Sequence, residues 1–322
     1  MPGPSRVVIG RIYPEVDGGR FPVKRVVGDR VAVEADIFAD GHDELTCELL
    51  YRKAGSGDWQ RVPMAPLGND RWRAEFAVEE LGRYFYTVRA WVDRFKTWRR
   101  DLRRRLEAGQ EVTAEWAVGA ELAEAAAGRA RGADRERLLG LAQILRAGGP
   151  EGAAVAFGEE LDRLMGAYPD LAGASLYGRE LALVVDPVLA RFGAWYEMFP
   201  RSVWSTDPEP PFVDGRLRHG TFRDCEARLE YVANLGFDVV YLPPIHPIGR
   251  TNRKGRNNAL TAGPDDPGSP WAVGGPEGGH TAVHPALGTL EDFRRLVSKA
   301  RALGLEVALD LAFHCSPDHP YV

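Results

Sequence analysis

Two stretches of this chain gather side chains able to bind small polar molecules. Between Gly249 and Asn258, the cations Arg250, Arg253, Lys254 and Arg256 stand beside the carboxamides Asn257 and Asn258. Together they offer directional donors and acceptors suited to sugar hydroxyls, groups that are costly to leave unpaired once buried. Mononucleotides are disfavoured, because Lys254 occupies the position of a Walker loop's second glycine and no Gly-Lys-Ser/Thr follows. Arg253 and Arg256 fit a solvated basic loop equally well. The second stretch holds Asp310 with His314 four residues on. A lone histidine is usually structural, and His280, His284 and His319, each next to or near a proline, can simply cap turns.

The elements that must position these residues are legible from periodicity. Phe237 to Leu242 is a short apolar, β-branched run closed by Pro243 and Pro244, which reads as a strand buried on both faces. The basic loop therefore leaves the strand's C-terminal end, where parallel α/β folds meet their ligands. Thr221 to Leu235 has helical spacing and ends at Gly236; Thr289 to Leu303 opens on a Thr289/Asp292 capping box and ends at Gly304. With strands over Ala194 to Phe199 and Leu305 to Asp310, the order is βαβαβ with a parallel sheet. The connection from Pro243 to Gly288 is far longer than an ordinary βα loop. Its prolines, glycines, Trp271, His280 and His284 favour an ordered binding loop over a mobile insertion.

Several motifs support a family resemblance. Leu309-Asp310-Leu311-Ala312-Phe313-His314-Cys315 resembles the first motif of the α-amylase family of glycoside hydrolases, D-x-A-x-N-H, with Asp310 and Ala312 matching. The stretches at 195–202, 252–258, 269–271, 279–285 and 316–320 narrow the likeness to maltose-1-phosphate-dependent α-1,4-glucan maltosyltransferases, a bacterial branch of that family. By this resemblance, Lys254 and Asn258 line a pocket for the donor's maltosyl unit and help close it beyond two sugars. His314 contacts sugar, and Asp310 organises the site. His314-Cys315 departs from Asn-His in the wider family, and from the Gln more usual in this branch at the first position. Imidazole can still donate to a hydroxyl, and its protonation would make binding depend on pH.

The resemblance implies retaining transfer of a maltosyl unit from α-maltose 1-phosphate to the non-reducing end of an α-1,4-glucan, with phosphate released. It implies no metal or organic cofactor. Retaining transfer needs a carboxylate nucleophile and a carboxylic acid about 5 Å apart; in the family these arise from later strands, so no catalytic residue is assigned here. A (β/α)8 TIM barrel takes roughly 250 residues, and Ala194 to Val322 supplies about half of that. Only strands one to three of an incomplete barrel are expected. Two alternatives stay open: another α-amylase-family enzyme, such as a branching enzyme or amylase, and a non-catalytic glucan-binding or assembly protein.

Upstream, the expectation is an immunoglobulin-like β-sandwich over 1–105, a helical-bundle insertion over 106–179, a last sandwich strand near 180–190, and the barrel portion over 191–322. Leu181, Leu183 and Val185 should share one face of that last strand. Trp59, Trp72, Tyr84, Phe85, Tyr86, Trp91 and Trp98 are expected to fill the sandwich core rather than form a sugar-stacking platform. Helices are expected over Val112 to Ala130, Asp134 to Arg146 with Asp134 as N-cap, and Pro150 to Tyr168. The arginines at 99–100 and 103–105, interleaved with glutamates, read as a solvated helical face. The 41 basic and 46 acidic residues give a net charge of −5, which offers no reason to expect nucleic acid or acidic membranes as partners. Three scattered cysteines, an N-terminus without an apolar core and no bilayer-length apolar run point to the cytoplasm. The resemblance adds a two-fold homodimer.

Overall fold

A computed structural model describes residues 6–204, 212–213 and 216–322. The chain forms two compact units, Met1–Val188 and Leu189–Val322.

The first unit begins with strands β1 (Val7–Tyr13), β2 (Val23–Val26), β3 (Arg30–Ala39), β4 (Leu45–Lys53), β5 (Gln60–Pro63), β6 (Ala65–Gly68), β7 (Arg71–Ala77) and β8 (Gly82–Val92). Five helices follow, then β9 (Ser175–Leu176) and β10 (Leu181–Asp186). One sheet has the order β1-β3-β7-β6; the other runs β2-β10-β8-β4-β5, with β9 on β8. Alternation decides the faces. Val31, Val33, Ala35 and Ile37 of β3 meet Cys47 and Leu49 of β4, Tyr84, Tyr86 and Val88 of β8, and Leu181, Leu183 and Val185 of β10 in one core shared by both sheets. The last strand lies between β2 and β8, parallel to the first and antiparallel to the second. Tyr84 and Tyr86 are core residues as expected, and Trp72 packs against them. Phe85 instead stands on the other face of β8, where Arg52 lies over both Trp59 (4.5 Å) and Phe85 (5.8 Å). Trp98 belongs to a different core altogether.

That second core is helical. Its elements are α1 (Arg94–Glu107), α2 (Thr113–Arg129), α3 (Gly132–Ala147), α4 (Gly149–Ala156) and α5 (Glu159–Ala167). The helices start earlier than the expected border at residue 105. Asp93 ends β8, accepts from the Lys96 amide as an N-cap, and releases Phe95, Trp98 and Leu102 at three- and four-residue spacing into the helical core. Asp134 is not the N-cap of α3; Arg131 holds that position, and Asp134 sits in the first turn, where it accepts from the Tyr168 hydroxyl at 2.8 Å. Pro150 to Tyr168 is two helices, because Gly158 is extended and interrupts the ladder. Gly119 of α2 lies against the Trp98 ring, which a Cβ there would meet at 2.1 Å. The arginine-rich face of α1 is ion-paired: Arg99 to Asp162, Arg100 to Glu44, Arg105 to Glu115.

In the second unit, β11 (Trp195–Glu197), a hairpin β12 (Phe212–Val213) with β13 (Arg216–Leu217), α6 (Phe222–Asn234), β14 (Val239–Leu242), α7 (Leu290–Ala302) and β15 (Glu306–Leu309) follow in order. The strands β11-β14-β15 are parallel, with Tyr196 against Val240 and Val240 against Val307. This is the expected βαβαβ order. Both helices start with full capping boxes, Thr221/Asp224 and Thr289/Asp292, and both end at glycines with positive φ, Gly236 (84°) and Gly304 (77°). Phe222, Leu229 and Val232 of α6 and Leu296 and Ala300 of α7 bury against Val240 and Leu242. Each buried Leu or Val contributes about 1.5–3 kcal/mol, so this compact core fixes where the strand ends lie.

Candidate functional site

The loop that leaves β14 is held by its own hydrogen bonds. Arg253 is its internal clamp: Nε donates to the Gly249 carbonyl (2.8 Å), Nη2 to Ile248 (2.9 Å) and Nη1 to Asp266 (3.2 Å). Asn252, Asn257 and Asn258 adopt positive φ (56°, 53° and 63°), a region that asparagine tolerates better than most residues. Gly255 donates to the Ala259 carbonyl at 2.9 Å, and a Cβ on it would lie 2.3 Å from the Thr261 oxygen. Asp266 accepts from the Gly263 amide (2.7 Å) and pairs with Arg256 (3.5 Å).

This folding opens a cavity of about 340 Å³ lined by Lys254, Arg256, Asn258, Asp266 and Ser269 together with the backbone around Gly268. The volume falls in the range of small-molecule pockets, and the lining mixes two cations, a carboxamide, a carboxylate and a hydroxyl. Lys254 and Asn258 are thus brought together. Asp310 and His314 do not line the cavity.

Asp310 stands just beyond β15 and anchors the loop's far limb, accepting from Trp271 Nε1 at 2.8 Å. It also takes the Tyr241 phenol as a hydrogen-bond partner and holds that phenol above its ordinary pKa. His314 is exposed in the segment that follows.

The remaining polar residues brace the same region. Asp318 accepts from the amides of Arg250 (2.5 Å) and Thr251 (2.7 Å) and from the Thr251 hydroxyl (2.6 Å). Those bonds, the Thr251 hydroxyl foremost, pull its carboxyl down to about 2. His319 accepts at Nδ1 from the Tyr321 amide, so its proton resides on Nε2 and is donated to His280 Nδ1 (2.9 Å). His280 in turn donates from Nε2 to the Ala312 carbonyl at 2.7 Å. Burial, then the neighbouring His280 and His246, push His319 below its ordinary pKa. His284 caps a 3-10 turn by accepting from the Ala286 amide at 3.1 Å. No group of three or more His, Cys, Asp and Glu side chains that could hold a metal ion occurs among the described residues.

Sequence reasoning did not single out Asp266, nor the Trp271–Asp310 and Asp318–Thr251 ties. Each joins residues far apart in the chain or in an aperiodic loop, where spacing carries no signal. Gly263 followed by Asp266 was the one local cue.

Comparison with known proteins adds the family. Residues 5–187 match the family described as "Alpha-1,4-glucan:maltose-1-phosphate maltosyltransferase, domain N/S", and residues 197–322 match "Alpha amylase, catalytic domain". The latter match makes the second unit part of a TIM-barrel catalytic domain. The chain is 53% identical over 321 residues to the Chlorobaculum tepidum protein named alpha-1,4-glucan:maltose-1-phosphate maltosyltransferase, covering 99% of this chain and 47% of that protein. A Myxococcus xanthus protein of the same name is 52% identical, over 98% of this chain and 48% of its own length. A solved alpha-amylase from Lactobacillus plantarum is 32% identical over 40% of this chain and 24% of its own, with a TM-score of 0.30. The chain therefore spans about half the length of the curated relatives it matches. On these matches, the chain belongs to the α-1,4-glucan:maltose-1-phosphate maltosyltransferase family.

Proposed function

We propose that this chain is the N-terminal portion of a retaining maltosyltransferase and that the cavity at Lys254 and Asn258 receives the maltosyl unit of α-maltose 1-phosphate. The observation that carries the reading is the cavity itself. It brings together two of the four residues singled out from the sequence, Lys254 and Asn258, on the loop that leaves the C-terminal end of a parallel strand, the end where barrels of this kind bind ligand. The Lys254 ammonium and the Asn258 carboxamide would bond sugar hydroxyls, and the Arg256–Asp266 pair would bound the pocket. His314 would contact sugar from the segment after β15. Asp310, tied to Trp271, would organise the site.

In the whole enzyme, an aspartate nucleophile contributed by later strands would attack the anomeric carbon of α-maltose 1-phosphate. Phosphate leaves with the bonding electrons, and a β-maltosyl ester forms. The 4-hydroxyl at the non-reducing end of an α-1,4-glucan then attacks the same carbon, loses its proton to the acid/base group, by then a carboxylate that has given its own proton to the departing phosphate, and restores the α linkage. Two inversions give retention. The deciding experiment measures phosphate released from maltose 1-phosphate by the full-length protein with and without glucan. Release only with glucan, matched by growth of the glucan in steps of two glucoses, supports the reading; a branching enzyme or amylase would release none.

We further infer that the two sheets of the first unit are an immunoglobulin-like sandwich and that α1 to α5 are an insertion before its last strand. Support comes from β10, which follows the helices in sequence and lies between β2 and β8 in the sheet. By resemblance, this sandwich and its helices form the contact of a two-fold homodimer. A cytoplasmic location accords with three free cysteines, two of them buried, and with the absence among the described residues of any helix long and apolar enough to cross a membrane.

A further inference from the structure

Arg201 lies in a short 3-10 turn just after β11, only 9% exposed, and its Nε and Nη2 have no hydrogen-bond partner among the described residues. A guanidinium removed from water without a counter-charge is costly. The turn is fixed: the Gly220 amide donates to the Arg201 carbonyl at 2.9 Å, and Gly220 has no room for a Cβ against the Val203 and Pro200 carbonyls. The backbone that carries the Arg201 side chain is therefore held in place.

Its surroundings are cationic. Arg253 is near enough for its charge to act on Arg201, and both nitrogen-rich heads lack a carboxylate partner among the described residues, since Arg253 spends its donors on backbone carbonyls. Arg201 also acts on His284. Because His284 Nδ1 accepts from the Ala286 amide, its neutral imidazole carries the proton on Nε2, which leaves it a donor. The cluster presents two positive charges and several N–H groups; the carboxylate that acts on it, Glu277 near His284, is already paired with Arg250 at 2.9 Å. Burial, then Arg253, lowers the Arg201 pKa to about 10, as expected for a buried cation awaiting an anion.

We propose that Arg201, with Arg253 and His284 beside it, forms a binding site for a phosphate dianion. Two positive charges match a dianion better than a single carboxylate. The planar fork of Arg201 offers two parallel donors to phosphate oxygens, and these charge-assisted bonds are among the strongest that side chains make. The anion is either inorganic phosphate or the phosphomonoester of a sugar; their shared chemistry is what the site recognises. The inference does not depend on the maltosyl-donor reading.

The test is calorimetric titration of the full-length protein with inorganic phosphate, glucose 1-phosphate and glucose, repeated with Arg201→Met and Arg201→Lys. Phosphate is expected to bind the native protein, and Arg201→Met to weaken it by about 10- to 100-fold, the loss of one or two charged hydrogen bonds; Arg201→Lys falls between. Tight binding of phosphate and of glucose 1-phosphate alike marks recognition of the phosphate alone; preference for the ester marks a sugar phosphate. Removing an uncompensated buried charge should also raise the melting temperature of Arg201→Met without phosphate while abolishing the rise that phosphate produces in the native protein. If the variant does not fold, crystals of the native protein soaked in tungstate should place the anion within hydrogen-bond distance of Arg201 Nε and Nη2. An unchanged phosphate affinity in Arg201→Met, or a carboxylate side chain filling the socket in the full-length crystal, overturns the proposal. Phosphate binding lost with Arg201 in a protein that lacks maltosyl transfer would leave it standing and reject the donor reading instead.

Discussion

A single carbon decides the shape of the cavity wall at Gly255, where a methyl group would meet the Thr261 carbonyl. Gly255→Ala is expected to abolish donor binding in the full-length protein while leaving its overall melting nearly unchanged; unaltered affinity for maltose 1-phosphate would show that the wall does not matter. Lys254→Ala removes a charged donor from the lining, so the KM for maltose 1-phosphate should rise by about 10- to 100-fold. His284 supplies a pH dependence. Burial, then the Arg201 charge, push it from 6.5 to about 4, so the folded state refuses a proton that the unfolded chain accepts. Its contribution to stability is therefore complete above about pH 6.5 and declines as the pH falls from there toward 4. His284→Asn keeps an acceptor for the Ala286 amide and removes the titration, so urea midpoints should fall less steeply over that window; equal slopes would contradict this. Lys254 and Asn258 were legible in the sequence because they sit in a short motif with a family likeness. Arg201 was not, since only the fold reveals that its head is buried and unpaired.

Helices α6 and α7 show why some elements could be read before the structure and others could not. Thr289 and Asp292 with Gly304 beyond the apolar-periodic stretch are a local signal, and the structure realises both ends of α7. Replacing Thr289 by Ala should cost about 1 kcal/mol in urea denaturation of the full-length protein, since the Asp292 amide loses its cap; no loss would mean that packing alone holds the helix. The border at Asp93 was misread because Phe95 and Trp98 continue an aromatic run that began in β8, and aromatic content favours strands until their three- and four-residue spacing with Leu102 is weighed. The break between α4 and α5 left no proline to mark it. The side-chain ties that fix the long loop, such as Trp271 to Asp310, join residues 39 apart and have no periodic trace.

Across the whole molecule, the second unit leaves apolar surface beside a strand that pairs on one side only: among the described residues β15 bonds to β14 alone, and Leu309, Leu311 and Phe313 (90% exposed) follow one another there. Open parallel edges and exposed apolar side chains promote association. This chain expressed by itself is therefore expected to self-associate, read by light scattering, and a monodisperse preparation with one cooperative melt would contradict the expectation. The parallel order β11-β14-β15 was legible because strand, helix and strand alternate, whereas the partition into two sheets upstream depended on long-range pairing such as β10 with β2. The most direct test of the donor-pocket reading is a crystal structure of the full-length protein soaked with maltose. The disaccharide should lie in the cavity of the loop after β14 with hydroxyls bonded to Lys254 and Asn258; maltose bound elsewhere, with that cavity empty, would refute the assignment.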